Sequence, residues 1–208
     1  MIVNRILFED NHLIAINKKS SEIVQGDRTG DSTMPDAIKA YLKDKYNKPG
    51  NVFCGVIHRL DRPTSGVILF ARTSKGLERM NKQFREQQTS KTYWAILENK
   101  PPNVEGTLVN YVKKNEKQNK SYVSSKDTKG SKEAILNYRL ISSSERYHLV
   151  EVELETGRHH KIRSQFAKIG CYIKGDLKYG AKRSNRDGSI CLHSRQLKFN
   201  HPTTKEEV

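Results

Sequence analysis

The chain has 208 residues, with 38 Lys and Arg against 23 Asp and Glu, a formal net charge of +15. That length supports a sizeable core, and the cationic surplus favours polyanionic partners, nucleic acid before acidic membrane. No apolar run approaches a transmembrane span, and "MIVNRILFEDNHLIAINKK" lacks the apolar stretch and cleavage site of a signal peptide, so the reading is a cytoplasmic protein.

In chain order, "RILFED" and "HLIAINK" read as two strands joined by a turn at Glu9-Asp10-Asn11. Residues 32–46 predict a helix with Ile38, Tyr41 and Leu42 on one face. "CGVI" and "GVILFA" read as buried strands either side of "HRLDRPTS", and Ser74 as the N-cap of a helix to about Gln87 carrying Leu77, Met80 and Phe84 at helical spacing. "KTYWAIL", "GTLVNYV", "EAILNYRLI" and "YHLVEVELE" follow as strands. "GRHHKIRSQFAKIG" reads as a short helix ended by Gly170, and "CLHSRQLKF" as a last strand. No 20-to-50-residue repeat and no Pro-, Gly- or Ser-rich linker divides this strand-dominated α+β chain.

Residues 113–132, "KKNEKQNKSYVSSKDTKGSK", carry seven lysines against Glu116 and Asp127. The composition predicts a solvated loop first, and second an arm that engages phosphates. Cys54, Cys171 and Cys191 are widely spaced without a Cys-x-x-Cys, which favours buried free thiols over a disulfide framework or zinc site. His159 and His160 are neighbours, and neighbours on a helix face apart, which argues against a shared metal.

Three stretches could hold chemistry. In "HRLDRPTSG", Pro63 pushes Arg62 toward an extended conformation and Gly66 gives the backbone freedom, so a rigid bend presents Asp61 between Arg59 and Arg62. A carboxylate held among guanidinium groups is either a nucleophile or an ion-paired brace for the bend, and the pattern alone leans slightly to the brace. In "LETGRHHKIRSQ", Arg158, His159, Lys161 and Arg163 gather on the first turns of a helix, where the dipole disfavours cations; they form a phosphate or carboxylate site, or merely a basic surface. Tyr93 in "SKTYWAIL" packs in the core or stacks on a base. Phosphate-loop, Ser-His-Asp and metal signatures are absent from the sequence.

"HRLDRPTSGVILFART" resembles the signature of the RluA family of pseudouridine synthases, matched at His58, Arg59, Leu60, Asp61, Thr64, Ser65 and Gly66. The resemblance continues in family order through "KTYWA", "LETGRHHKIRSQFAKIGCYIKGDLKYG" and "LHSRQLKFNHP", and so covers nearly the whole chain. It implies a single pseudouridine synthase catalytic domain over residues 1–208: a mixed, mainly antiparallel sheet with flanking helices and a central cleft, without a separate N-terminal RNA-binding module. The implied activity is isomerisation of uridine to pseudouridine in a ribosomal or transfer RNA stem-loop by a monomer, with no metal or organic cofactor. Asp61 takes the place of the catalytic aspartate, Tyr93 of the tyrosine that packs against the base, and Arg163 of the basic residue paired with the aspartate. Leu192 corresponds to an apolar residue lining the base pocket, and Arg59 to an arginine that helps replace the flipped nucleotide. Arg62, Thr64 and Arg158 complete the residues expected to meet substrate.

The chain departs from the family pattern in places. His159 and Lys161 stand where a threonine and a glutamine are usual, "NKKSSE" replaces Asn-Lys-Pro with a following Gly, and the family's closing strand is not matched after "HPTTKEEV". A catalytically inactive RNA-binding protein of the same fold is the alternative expectation. A glycoside hydrolase is disfavoured, because no second carboxylate accompanies Asp61 in the largely basic motifs.

Overall fold

The computed structural model describes residues 2–26 and 30–208 and comprises two compact units. The first holds Met1–Thr89 and Gln196–Val208, the second Ser90–Arg195.

In the first unit, β1 (Ile6–Glu9) and β2 (Leu13–Lys18) pair antiparallel with Phe8 opposite Ala15. Asp10 makes the turn, its Oδ1 accepting from the His12 and Leu13 amides at 2.8 and 2.6 Å. β4 (Ser65–Ala71) lies antiparallel to β2, from Leu13–Ala71 to Lys18–Gly66. "CGVI" yields only the two-residue β3 (Gly55–Val56), also paired with β4.

The unbroken apolar runs of β2 and β4 reflect burial on both faces: Leu13, Ile14, Ile16, Ile68, Leu69 and Phe70 are all fully buried. Each such side chain contributes about 1.5–3 kcal/mol of transfer free energy. On one face Leu13, Ala15, Leu69 and Ala71 pack with Ile57, Met80 and Phe199, flanked by Leu77 and Phe84. Met80, Leu77 and Phe84 come from α2 (Ser74–Arg85), as the helical spacing predicts. Its cap is Thr73, one residue before the expected Ser74, because Thr73 keeps an extended backbone and its hydroxyl accepts from the Gly76 amide at 3.0 Å.

α1 (Met34–Lys45) opens with a capping box between Thr33 and Asp36 and buries Met34, Pro35, Ile38 and Leu42. Tyr41 is half-buried instead, its hydroxyl donating to Glu9 at 2.8 Å. After "HPTTKEEV" begins, the chain turns back on itself: Phe199 and Val208 exchange backbone hydrogen bonds at 3.1 and 2.9 Å.

In the second unit β5 (Ser90–Leu97), β6 (Glu105–Asn115), β7 (Lys120–Ser124), β8 (Lys132–Ser143) and β9 (His148–Leu154) form antiparallel ladders in the order β5-β9-β8-β6-β7. The lysine-rich stretch is therefore only in part the solvated loop its composition suggests: residues 125–131 lie outside any strand, whereas 113–124 form a hairpin. Residues 113–115 finish β6, and Lys113, Lys114 and Asn115 pair with Tyr122, Ser121 and Lys120 in a hairpin. One buried residue, Ser121 at 2% exposed, anchors an otherwise solvated ribbon. β10 (Leu192–Lys198) carries the chain from the second unit back into the first.

α3 spans only Lys161–Lys168, and Gly170 beyond it takes φ 74°, the helix-ending role expected of it. Arg158, His159 and His160 precede the helix. The argument that adjacent histidines face apart does not apply there: His160 adopts φ 51°, and its ring stacks on His159 with centroids 3.7 Å apart. Among the described residues, no group of three or more His, Cys, Asp or Glu is placed to hold a metal ion, and no helix is long and apolar enough to cross a membrane. The three thiols are free; Cys171 is buried and Cys54 and Cys191 are half-buried.

Candidate active site

The "HRLDRPTSG" bend forms as the sequence requires. The Thr64 amide donates to the Asp61 carbonyl at 3.0 Å, closing a turn through Arg62 and Pro63, and Gly66 takes φ 113° at the start of β4, a conformation that side chains resist. Asp61 is half-buried, while Arg59 and Arg62 are exposed. Arg59 donates to Gln25 at 3.0 Å and Arg62 pairs with Asp31 at 3.3 Å. Thr64 is 2% exposed, and its hydroxyl has no hydrogen-bond partner among the described residues. His58 braces the bend from behind: its Nε2 accepts from the Leu69 amide at 3.1 Å and its ring stacks on Phe84 at 4.9 Å.

The residue that grips the bend is Lys18, which sequence reasoning passed over. It ends β2 and is 1% exposed, and its ammonium donates to the carbonyls of Lys19 (3.0 Å), Asp61 (3.3 Å), Arg62 (3.0 Å) and Thr64 (2.7 Å). Burial pushes its pKa down to about 8, against the opposing pull of Glu22 and Asp61. The neighbouring turn is held as well, since the Ser21 amide donates to the Arg62 carbonyl at 2.8 Å. Ser21 does so at φ 72°, where a non-glycine residue costs about 1–2 kcal/mol. The chain thus keeps a glycine-like turn shape in "NKKSSE".

Replacing Lys18 with Met keeps the stem and deletes the donors, leaving carbonyls in the bend unpaired. The expected loss is about 3 kcal/mol of stability, read as a lower urea midpoint, with proteolytic nicking appearing between residues 58 and 66. An unchanged midpoint would show that the bend holds itself.

The second unit carries the other predicted positions. Tyr93 lies in β5 opposite Val152, 8% exposed. Leu192 opens β10 and is 4% exposed. Arg158 is exposed and donates to the Glu133 carbonyl at 2.9 Å. Lys161, grouped with the cations of a possible phosphate site, is instead 2% exposed and spends its ammonium on the Ile135 and Thr156 carbonyls at 2.6 and 2.7 Å. Burial first, then the cations of Lys91 and Arg158, push its pKa down to about 7. Its role is to tie the helix start to β8 and the Thr156 turn.

Arg163 is 5% exposed and is clamped by Asp176, itself 1% exposed: Nε donates to Oδ2 at 2.7 Å and Nη2 to Oδ1 at 2.8 Å. Such a two-point pairing fixes the plane of the guanidinium. Its Nη1 lies 3.1 Å from His160 Nε2, and its Cζ is 4.9 Å from the centre of the Tyr179 ring. Sequence reasoning missed Asp176 and Tyr179. The available signal was a carboxylate and an aromatic in "IKGDLKYG", a short stretch of a strongly basic chain.

In chemical terms the first unit offers a carboxylate on a braced turn. The second offers a buried, oriented guanidinium and a strand tyrosine, within a chain whose charge suits phosphates.

Residues 12–168 match the sequence pattern of the RNA pseudouridylate synthases. The chain is 32% identical over 207 residues to the uncharacterized RNA pseudouridine synthase slr1629 of Synechocystis, covering 98% of this chain and 63% of that protein. It thus spans less than two thirds of that relative. It is also 32% identical over 221 residues to tRNA pseudouridine synthase C of Haemophilus influenzae, covering 98% of this chain and 90% of that one. The solved structure of human RNA pseudouridylate synthase domain containing 4 shares the fold, with a TM-score of 0.83 at 24% identity over 100% of this chain and 87% of that one. On the family pattern matched over residues 12–168 and the 32% identity to a relative of which it covers 90%, the chain belongs to the RNA pseudouridylate synthase family.

Proposed function

We propose that the chain isomerises uridine to pseudouridine within structured ribosomal or transfer RNA, with Asp61 as the catalytic carboxylate. The observation that carries this reading is the Asp61 turn, a half-buried carboxylate whose flanking carbonyls are gripped by the buried Lys18. Pre-organisation of that kind suits a group that must meet one sugar carbon in one orientation. The reaction breaks the bond from ribose to N1 of the base and remakes it at C5, so no atoms or electrons are gained or lost between uridine and pseudouridine. Nucleophilic or acid–base chemistry and positioning are all it asks of the protein. In this reading Tyr93 packs against the detached base, Leu192 lines the base pocket, Arg163 pairs with the carboxylate, and Arg59, Arg62 and Arg158 meet the RNA. The turn and the paired guanidinium favour catalysis over a binding-only role, since passive binding needs neither.

Because C5 gives up its hydrogen when it joins the ribose, RNA transcripts labelled with tritium at uridine C5 report the reaction directly. Incubation with the purified chain releases tritium from ribosomal or transfer RNA without added metal or cofactor. Binding of those RNAs with no release would support the inactive alternative.

A further inference from the structure

A hydrogen-bonded chain runs from Arg163 to the lysine hairpin, and chemistry fixes its direction. A guanidinium can only donate, so the 3.1 Å contact between Arg163 Nη1 and His160 Nε2 makes Nε2 the acceptor. A neutral imidazole with a free Nε2 carries its proton on Nδ1. That Nδ1 is 3.0 Å from the Tyr179 hydroxyl, which therefore accepts from it. The hydroxyl also accepts from the Ser121 amide at 2.8 Å and gives its own proton to the Ser121 carbonyl at 3.0 Å. Ser121 closes a further link, its hydroxyl 2.8 Å from His159 Nδ1. Every donor and acceptor along the line agrees, and His160, Tyr179, Ser121 and Arg163 are all at least nine-tenths buried.

The hairpin is held at this point from both sides. Lys178 donates to the Gln118 and Asn119 carbonyls at its tip, at 3.4 and 3.2 Å. Lys120 Nζ and Arg163 Cζ each lie 4.9 Å from the centre of the Tyr179 ring. The same short turn, Leu177–Tyr179, follows directly on Asp176, the carboxylate that clamps Arg163. Anything that shifts β7 must therefore pull on the hydroxyl, the imidazole and the carboxylate that orient the guanidinium.

We propose that Tyr179 and His160 are positioning residues that couple the seating of the β6–β7 hairpin, with its phosphate-seeking lysines, to the orientation of the Arg163 guanidinium. The catalytic consequence rests on the pseudouridine synthase reading; the coupling itself does not. RNA phosphates engaging Lys113, Lys114, Lys117 or Lys120 would steady the hairpin and, through this line, Arg163.

Tyr179→Phe removes the hydroxyl and keeps the ring. With a stem-loop substrate, kcat at saturating RNA should fall about tenfold, with KM and the salt dependence of binding within twofold, since the phosphate-seeking lysines remain. Exchange of the Ser121 amide should quicken at least tenfold, and the Arg163 Nε–H resonance should move. A kcat within twofold of the parent with an unmoved Arg163 resonance would overturn the proposal and leave Tyr179 an anchor of the hairpin alone. Should that variant fail to fold, His160→Asn, which tolerates the left-handed backbone but is too short to bridge both partners, must show the same signature. Absence of pseudouridine from the parent reaction counts against the activity, while the resonance and exchange comparison still decides the coupling.

Discussion

Asp61→Asn should abolish pseudouridine formation, lowering turnover by at least about a thousandfold, while affinity for the same RNA should stay within about twofold. The substitution is nearly isosteric, and it keeps the main-chain bonds that close the turn. The Asp61 carbonyl still accepts from the Thr64 amide and from Lys18. The Arg59 contact to Gln25 and the Arg62 pair with Asp31 involve other side chains. What is lost is the anionic oxygen, and an amide is a poor nucleophile and a poor partner for a guanidinium. Primer extension on chemically marked pseudouridine, run beside a filter-binding titration, separates the two effects. Turnover retained in the variant contradicts the assignment of Asp61, and affinity lost in proportion would mean that the carboxylate shapes the RNA site and not the chemistry.

The second large effect concerns the buried pair. Arg163→Ala takes from Asp176, 1% exposed, the guanidinium that clamps it, and Asp176→Ala takes from Arg163, 5% exposed, the carboxylate that fixes its plane. Removing one partner of a buried pair costs about 3–5 kcal/mol, so both single variants should unfold at markedly lower urea and both should lose activity. The informative case is the double variant Arg163→Met with Asp176→Leu. Apolar replacement of both partners removes the desolvation cost along with the attraction, and most of the stability should return. On the proposed function activity should not, because in that reading Arg163 serves the reaction as well as the fold. A stable and active double variant would reduce the pair to a structural brace.

The fold was legible wherever apolar pattern decides structure. The strands of "HLIAINK" and "GVILFA" announce themselves by unbroken apolar runs, and α2 by Leu77, Met80 and Phe84. The bend at Asp61 follows from Pro63 and Gly66. The lysine-rich hairpin was not legible, because a ribbon exposed on most of its surface needs no apolar alternation. It is fixed by ladder bonds to β6, by the buried Ser121 and by Lys178 at its tip, none of which composition records. Buried charge was hidden for a related reason. Lys18 and Lys161 look like surface lysines in sequence, yet each is buried because main-chain carbonyls, supplied from 46 and 26 positions away in their shortest contacts, take the place of water. Likewise Arg163 could be singled out from its motif, whereas Asp176 is brought to it only by the turn after α3.

The most direct measurement is a map of pseudouridine across total RNA from cells lacking the gene, and from the same cells supplied with the parent gene or with the Asp61→Asn form. The account predicts that at least one position in ribosomal or transfer RNA stays uridine without the gene, returns to pseudouridine with the parent, and does not return with the Asp61→Asn form. An identical map in all of these cells, or full restoration by the Asp61→Asn form, would contradict it.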